Sequence, residues 1–128
     1  MAGSIGFDVG TWNLIRATRN QETDKIECVK EVNAFFSLNL EGPVAFNMLD
    51  VAKVPLFKRD KVAYALGQKA VDIAYSFPGM TLRRPMSAGC VNPKEKEAFQ
   101  IMSLMLHSLI GEVEHDGQML CYSVPADA

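Results

Sequence analysis

Long apolar runs are missing from this sequence. None approaches the roughly 20 residues that a spanning helix needs, so no direct membrane span is expected. Neither sign of charge is in excess: 13 basic residues face 15 acidic ones, a formal charge of −2. A nucleic-acid surface or a polybasic membrane patch is therefore not expected. Histidine is scarce, with only His107 and His115. His107 falls in a helical pattern and His115 in a Gly/Asp-rich turn, so a histidine-based catalytic pair is not expected. Cys28, Cys90 and Cys121 are odd in number and far apart. They lack the Cys-x-x-Cys spacing of a zinc site and the even count of a disulfide framework. Free thiols in a reducing cytoplasm are the expectation, and with it a cytoplasmic location. No serine has a nucleophile-elbow context, and no P-loop signature occurs. The N-terminus, Met-Ala-Gly-Ser, has no basic n-region and no long apolar h-region, so no signal peptide is expected.

What is present is an ordinary globular composition. The chain has 128 residues, 48% of them hydrophobic and 22% charged, enough for one domain with a core. Its most informative stretch is Ser4-Ile5-Gly6-Phe7-Asp8-Val9-Gly10-Thr11-Trp12-Asn13. Ile5, Phe7 and Val9 alternate with Gly6 and Asp8, the period of a strand. A second apolar segment, Leu14 to Ala17, leaves the Gly10-Thr11 turn. The pattern predicts a hairpin whose tip carries a carboxylate, a glycine and a hydroxyl. Such a tip suits phosphate chemistry. Gly10 permits close backbone approach, and successive N–H groups at Gly10, Thr11 and Trp12 can form an anion nest. Thr11 and Asn13 add side-chain donors. Asp8 would repel phosphate but can hold Mg²⁺ or its water shell. The same residues also suit a plain hairpin in which Asp and Gly only form the turn.

The rest of the chain follows in order. Strands are predicted at 4–9, 13–19 and 25–32, an antiparallel meander, with Ile26, Cys28 and Val29 facing inward in the third. Residues 33–38 read as another strand, broken by Gly42-Pro43. Residues 45–58 are apolar without a clean period. Lys58 to Lys61 is a charged turn, Val62 to Leu66 a strand stopped by Gly67, and Gln68 to Phe77 a helix ended by Pro78-Gly79. Asn92-Pro93-Lys94-Glu95 predicts a helix start, with Asn92 as N-cap, Pro93 at N1 and Glu95 at N3. That helix runs to Ile110 and stops at Gly111. Gln118 to Val124 is predicted as a buried strand stopped by Pro125, with one face packed on the helix. Residues 1–32 and 81–128 form the main domain, and 33–80 a small inserted subdomain.

Four segments together resemble one family. Phe7-Asp8-Val9-Gly10-Thr11-Trp12-Asn13 resembles the first phosphate motif of the actin, heat-shock chaperone and sugar-kinase superfamily. Tyr64 to Ala70 is similar to the "GxxA" segment of MreB-type actin homologues. Arg84-Pro85-Met86-Ser87-Ala88-Gly89 looks like their Arg-Pro-Met-x-x-Gly segment, and Cys121 to Pro125 like their strand closing in Val-Pro. The resemblance spans nearly the whole chain. It implies an α/β, ribonuclease-H-like mixed sheet with an inserted subdomain, truncated after the fourth core strand. The helix would deliver the strand at 118–124 parallel to the first by a right-handed crossover. It further implies an actin-like ATPase whose cleft binds ATP and Mg²⁺ between two domains, of which this chain is the N-terminal portion. Asp8 would be the catalytic and metal residue; Asp8, Gly10, Thr11, Trp12 and Asn13 would contact the nucleotide. Trp12 stands where the family usually has a small residue, which leaves room for a non-catalytic scaffold. Chaperone-type and sugar-kinase-type members are further alternatives. A ribonuclease-H-type nuclease is disfavoured, since it needs clustered carboxylates. Self-association is expected, by polymerisation of a longer parent or by edge pairing at 118–124.

Overall fold

The structure, a computed structural model, describes residues 3–39, 56–76 and 81–125. Its strands are β1 (Ile5–Val9), β2 (Asn13–Arg19), β3 (Ile26–Val32), β4 (Phe35–Asn39), β5 (Leu56–Arg59), β6 (Val62–Leu66), β7 (Met86–Ser87), β8 (Cys90–Val91) and β9 (Leu120–Ser123). Its helices are α1 (Gly67–Ser76) and α2 (Ala98–Ile110). The chain forms two compact units, Met1–Asn33 with Pro85–Ala128, and Ala34–Arg84. The segments around Gly42-Pro43, 45–55, Pro78-Gly79 and Ala126–Ala128 lie outside the described residues.

The first unit is built on a four-stranded sheet in the order β3-β2-β1-β9. β1, β2 and β3 are antiparallel neighbours, and β9 runs parallel to β1. Alternation decides which side is buried. Phe7 pairs with Arg16 and Val9 with Leu14, so these side chains share a face with Ile5. Ile5, Phe7 and Leu14 are buried. Arg16 reaches from that same face to donate from Nη1 to the Leu109 carbonyl at 3.0 Å, which identifies α2 as the cover. α2 buries Ala98, Ile101, Met102 and Met105, one stripe at helical spacing. Ile101, Met102 and Met105 each contribute about 1.5–3 kcal/mol on burial. At the other end of the β2–β3 hairpin, Asn20 Oδ1 accepts from the Glu22 and Thr23 N–H groups at 2.9 and 3.2 Å, which folds the turn.

Three expectations for this unit need correction. α2 begins at Ala98 rather than Pro93. Asn92 Oδ1 accepts from the Lys94 N–H at 3.1 Å, and two tight turns follow, Glu95 N–H to the Asn92 carbonyl at 3.1 Å and Ala98 N–H to the Glu95 carbonyl at 3.2 Å. Asn92 therefore caps a turn that competes with the helix. The end falls as expected: Gly111 has φ 76° and donates to the His107 carbonyl at 3.0 Å. β3 does not turn Ile26 and Val29 inward; both are exposed, as is Cys28, because β3 is the sheet's outer strand. β9 is exposed along its whole length. Leu120 and Tyr122 lie on the same face as Ile5 and Phe7 by register, yet α2 leaves them open at 46% and 69% exposure.

The second unit has an antiparallel sheet in the order β4-β6-β5. The β5–β6 hairpin turns at Asp60 and Lys61, with Asp60 at φ 56°. α1 starts at Gly67, whose N–H donates to the Ala34 carbonyl at 2.8 Å at φ 78°. Phe36, Ala65, Ala70 and Ile73 form the core, with Leu38 and Ala74 packed on it. Arg83 lies 4.8 Å over the Phe35 ring and donates to Ser37 Oγ at 2.8 Å. Burial lowers the Arg84 pKa from its ordinary value, against an opposing contribution from Tyr75; arginine remains charged regardless.

Candidate functional site

β1 and β9 are parallel neighbours, so their carboxyl ends lie together, with Asp8 opposite Ser123. In open α/β sheets, ligands bind outside the carboxyl ends of the strands. Asp8 is exposed there. Its Oδ1 accepts a hydrogen bond of 2.6 Å from Ser123 Oγ, the length of a charge-assisted pair. A carboxylate has about four lone-pair sites, so one hydroxyl leaves capacity for a further ligand.

Beyond Asp8 the chain turns sharply. The Gly10 N–H donates to the Asn13 carbonyl at 3.0 Å, closing the turn on Thr11 and Trp12. A Cβ on Gly10 would stand 2.7 Å from that carbonyl oxygen, so only glycine fits. This corrects one expectation. The Gly10 N–H is committed to the turn, and a nest of three successive N–H groups starting at Gly10 does not form. Thr11 Oγ1 accepts from the Gly89 N–H at 2.9 Å. Gly89 sits in the β7–β8 turn, where Ala88 and Gly89 have φ of 51° and 81°, as a two-residue hairpin turn requires. Trp12 is 63% exposed, and its carbonyl accepts from the Asn33 N–H at 2.9 Å. Asn33 is fully buried and also donates from Nδ2 to the Gly10 carbonyl at 2.9 Å.

The fold thus brings Asp8, Gly10, Thr11, Trp12 and Asn13 into one tip. Sequence reasoning missed the three residues that hold them: Asn33, Gly89 and Ser123. Asn33 carried one signal, a polar side chain at the head of the apolar run Ala34-Phe35-Phe36. Among the described residues no cluster of three metal-ligating side chains occurs. That donor set fits Mg²⁺ only as a hydrated ion held by one carboxylate together with phosphate oxygens, a usual mode for this metal. A second concavity, of about 540 Å³, lies at the opposite end of the first unit's sheet, lined by Arg16, Arg19, Glu22, Glu27 and Glu114 among others. It opens at the amino ends of the parallel pair and mixes both signs of charge, so it suits an anionic phosphate less well than the tip. Cys28, Cys90 and Cys121 are free and exposed. No helix among the described residues is long and apolar enough to cross a membrane.

Comparison with known proteins bears on the fold. No curated protein matches the sequence. The fold is similar to that of a MamK double helical filament, with a TM-score of 0.60 at 16% identity. The match covers 97% of this chain and 33% of that one, so the chain spans about a third of the filament protein's length. MamK is an actin-like filament protein, and the fold seen here is actin-like. A family model matches residues 3–128: the chain belongs to the Volactin family.

Proposed function

We propose that this chain supplies one wall of a Mg-ATP site in an actin-like protein that assembles with copies of itself. The first unit is then the leading part of a ribonuclease-H-like domain, and Ala34–Arg84 is its inserted subdomain. The observation that carries the reading is the Asp8 tip: an exposed carboxylate at the carboxyl end of β1, followed at once by a tight turn bearing Thr11 and Asn13. Asp8 positions the metal's water shell and the attacking water. Thr11, Asn13 and the turn's backbone receive phosphate oxygens. Asp8 would hold Mg²⁺ through its water shell, and the ion would supply charge neutralisation for the phosphates. Phosphoryl transfer to water then depends on positioning and electrostatics. The filament assembly of a structural relative supports self-association.

Trp12 is the only tryptophan and sits in the tip, so its emission reports on ligand there. Mg-ATP titrated into the 128-residue chain is expected to give a saturable, Mg²⁺-dependent change in the millimolar range, near −4 kcal/mol. Affinity is weak because the base contacts and the opposite phosphate donors come from outside this chain. Asp8→Ala removes the Mg²⁺ dependence. Sub-micromolar binding by this chain alone refutes a shared cleft, and the absence of any Mg²⁺-dependent response refutes the reading. The exposure of Trp12 favours a second reading, a non-catalytic actin-like scaffold, because tryptophan is a common interface anchor. Partner binding unaffected by ATP, and abolished by Trp12→Ala, distinguishes it.

A further inference from the structure

We propose that Asn33 is a positioning residue that sets the anion-binding face of the tip. The inference rests on the phosphate-binding reading above and names the groups that carry it. Asn33 is fully buried, and a buried amide must find hydrogen-bond partners or lose stability. Among the described residues Asn33 Oδ1 makes no hydrogen bond, while the residue's side-chain and backbone donors are both spent on carbonyls of one turn. Nδ2 holds the Gly10 carbonyl, and the backbone N–H holds the Trp12 carbonyl, each at 2.9 Å.

Peptide planarity turns these two contacts into a directional effect. The described residues contain no cis peptide bond, and in a trans peptide the C=O and the following N–H point to opposite sides. With the Gly10 carbonyl on Asn33, the Thr11 N–H points away from Asn33. With the Trp12 carbonyl on Asn33, the Asn13 N–H points away as well. Two alternate N–H dipoles are thereby fixed on the side of the turn opposite Asn33, while the Gly10 N–H is spent on the Asn13 carbonyl. Thr11 contributes a third donor. Its Oγ1 already accepts from the Gly89 N–H, which occupies a lone pair and leaves the hydroxyl proton free to donate elsewhere. The turn presents the donors of Thr11 and Asn13 as an anion receptor. Preorganised donors of this kind need no reorganisation when the charge arrives. The ligand class is a phosphoanhydride or phosphate group, independent of the base attached to it.

The test uses the 128-residue chain labelled with ¹⁵N and pyrophosphate without metal as the probe. In the wild type, the Thr11 and Asn13 amide resonances are expected to move downfield on titration, with little change at Gly10. Asn33→Ala is expected to weaken pyrophosphate roughly tenfold and to remove the selective shifts at Thr11 and Asn13. Thermal unfolding is followed in parallel, because a merely structural role lowers the Tm without changing which amides respond in the folded fraction. Asn33→Asp adds a signature: affinity is lost at neutral pH and recovers as the carboxyl protonates and regains a donor toward the Gly10 carbonyl. A largest wild-type response at Gly10 overturns the proposal without any variant. Unchanged affinity in folded Asn33→Ala overturns it too, and leaves the Mg-ATP reading standing if Asp8→Ala still removes Mg²⁺ dependence. No wild-type response to pyrophosphate overturns the proposal; the Mg-ATP reading falls with it only if the Mg²⁺-dependent Trp12 response is absent as well.

Discussion

The same chemical change at two glycines of one hairpin should have opposite signs. Gly6 lies mid-strand in β1 opposite Ala17. A Cβ there would meet the Ala17 Cβ at 3.7 Å and its carbonyl oxygen at 3.8 Å, ordinary van der Waals contact. Neither Gly6 nor Gly10 needs a positive φ. Gly6→Ala therefore lowers the entropy of the unfolded chain without native strain, a gain of about 0.4–1 kcal/mol. At Gly10 the added Cβ would stand 2.7 Å from the Asn13 carbonyl oxygen. The obstacle is backbone, and it is the acceptor that closes the turn. The hairpin must open, at a cost of about 1–3 kcal/mol. With a urea slope of about 2 kcal/mol/M, the midpoint rises by about 0.2–0.5 M for Gly6→Ala and falls by about 0.5–1.5 M for Gly10→Ala. Far-UV ellipticity and Trp12 emission follow the transition, and an unchanged slope shows that stability alone has moved. A neutral Gly10→Ala, or a Gly6→Ala that destabilises as much as Gly10→Ala, would refute the steric account of the tip.

Three further outcomes are expected. Ser123→Ala deletes the hydroxyl donor seen on Asp8 Oδ1 and should weaken Mg-ATP roughly 3- to 10-fold, with metal-free pyrophosphate binding unchanged; equal loss with and without Mg²⁺ would show that Ser123 does not act through Asp8. In a longer polypeptide carrying this chain, Asp8→Ala should stop phosphate release and leave the Tm near wild type; wild-type turnover would reduce the tip to a plain hairpin. Light scattering across a concentration series should show self-association through β9, reduced by Tyr122→Pro. The Ile5 N–H donates to the Met119 carbonyl, so alternation puts the Tyr122 N–H on the far side of β9, where among the described residues no strand pairs; a strictly monomeric wild type would contradict this use of the edge.

Much of the fold was legible because its signals are local. Alternation at Ile5, Phe7 and Val9 marks β1, and Gly10 marks the turn that follows. The stripe from Ala98 to Met105 and the glycine at 111 mark the body and the end of α2. The misses share another cause. The Asn92-Pro93 pair carries a helix-start signal that a competing Asx turn also satisfies, and only the surrounding packing chooses between them. Burial of β3 and β9 was inferred from apolar content. Whether an apolar strand is covered depends on its place in the sheet order, and both stand at its edges. Ile26 and Tyr122 have the composition of core residues without the neighbours.

The site divides along the same line. The residues of the tip announce themselves, because a turn's chemistry is written in adjacent letters: a carboxylate, a glycine without room for a Cβ, a hydroxyl. Their orientation is not local. Ser123 meets Asp8 across 115 positions, Gly89 meets Thr11 across 78, and Asn33 meets Gly10 across 23. No periodicity joins such pairs. They exist only once β9 has paired with β1, β7 with β8, and β3 with β2. From the letters alone, Asn33 is a polar residue that opens a strand. Once it is buried, its donors must be satisfied, and the Gly10 and Trp12 carbonyls satisfy them. The hydrogen bonds that stabilise that burial also fix which side of the turn is rich in N–H. On the reading proposed above, a residue with no chemistry of its own toward a phosphate decides where the donors of the tip point, and the sequence shows this only after the strands are in register.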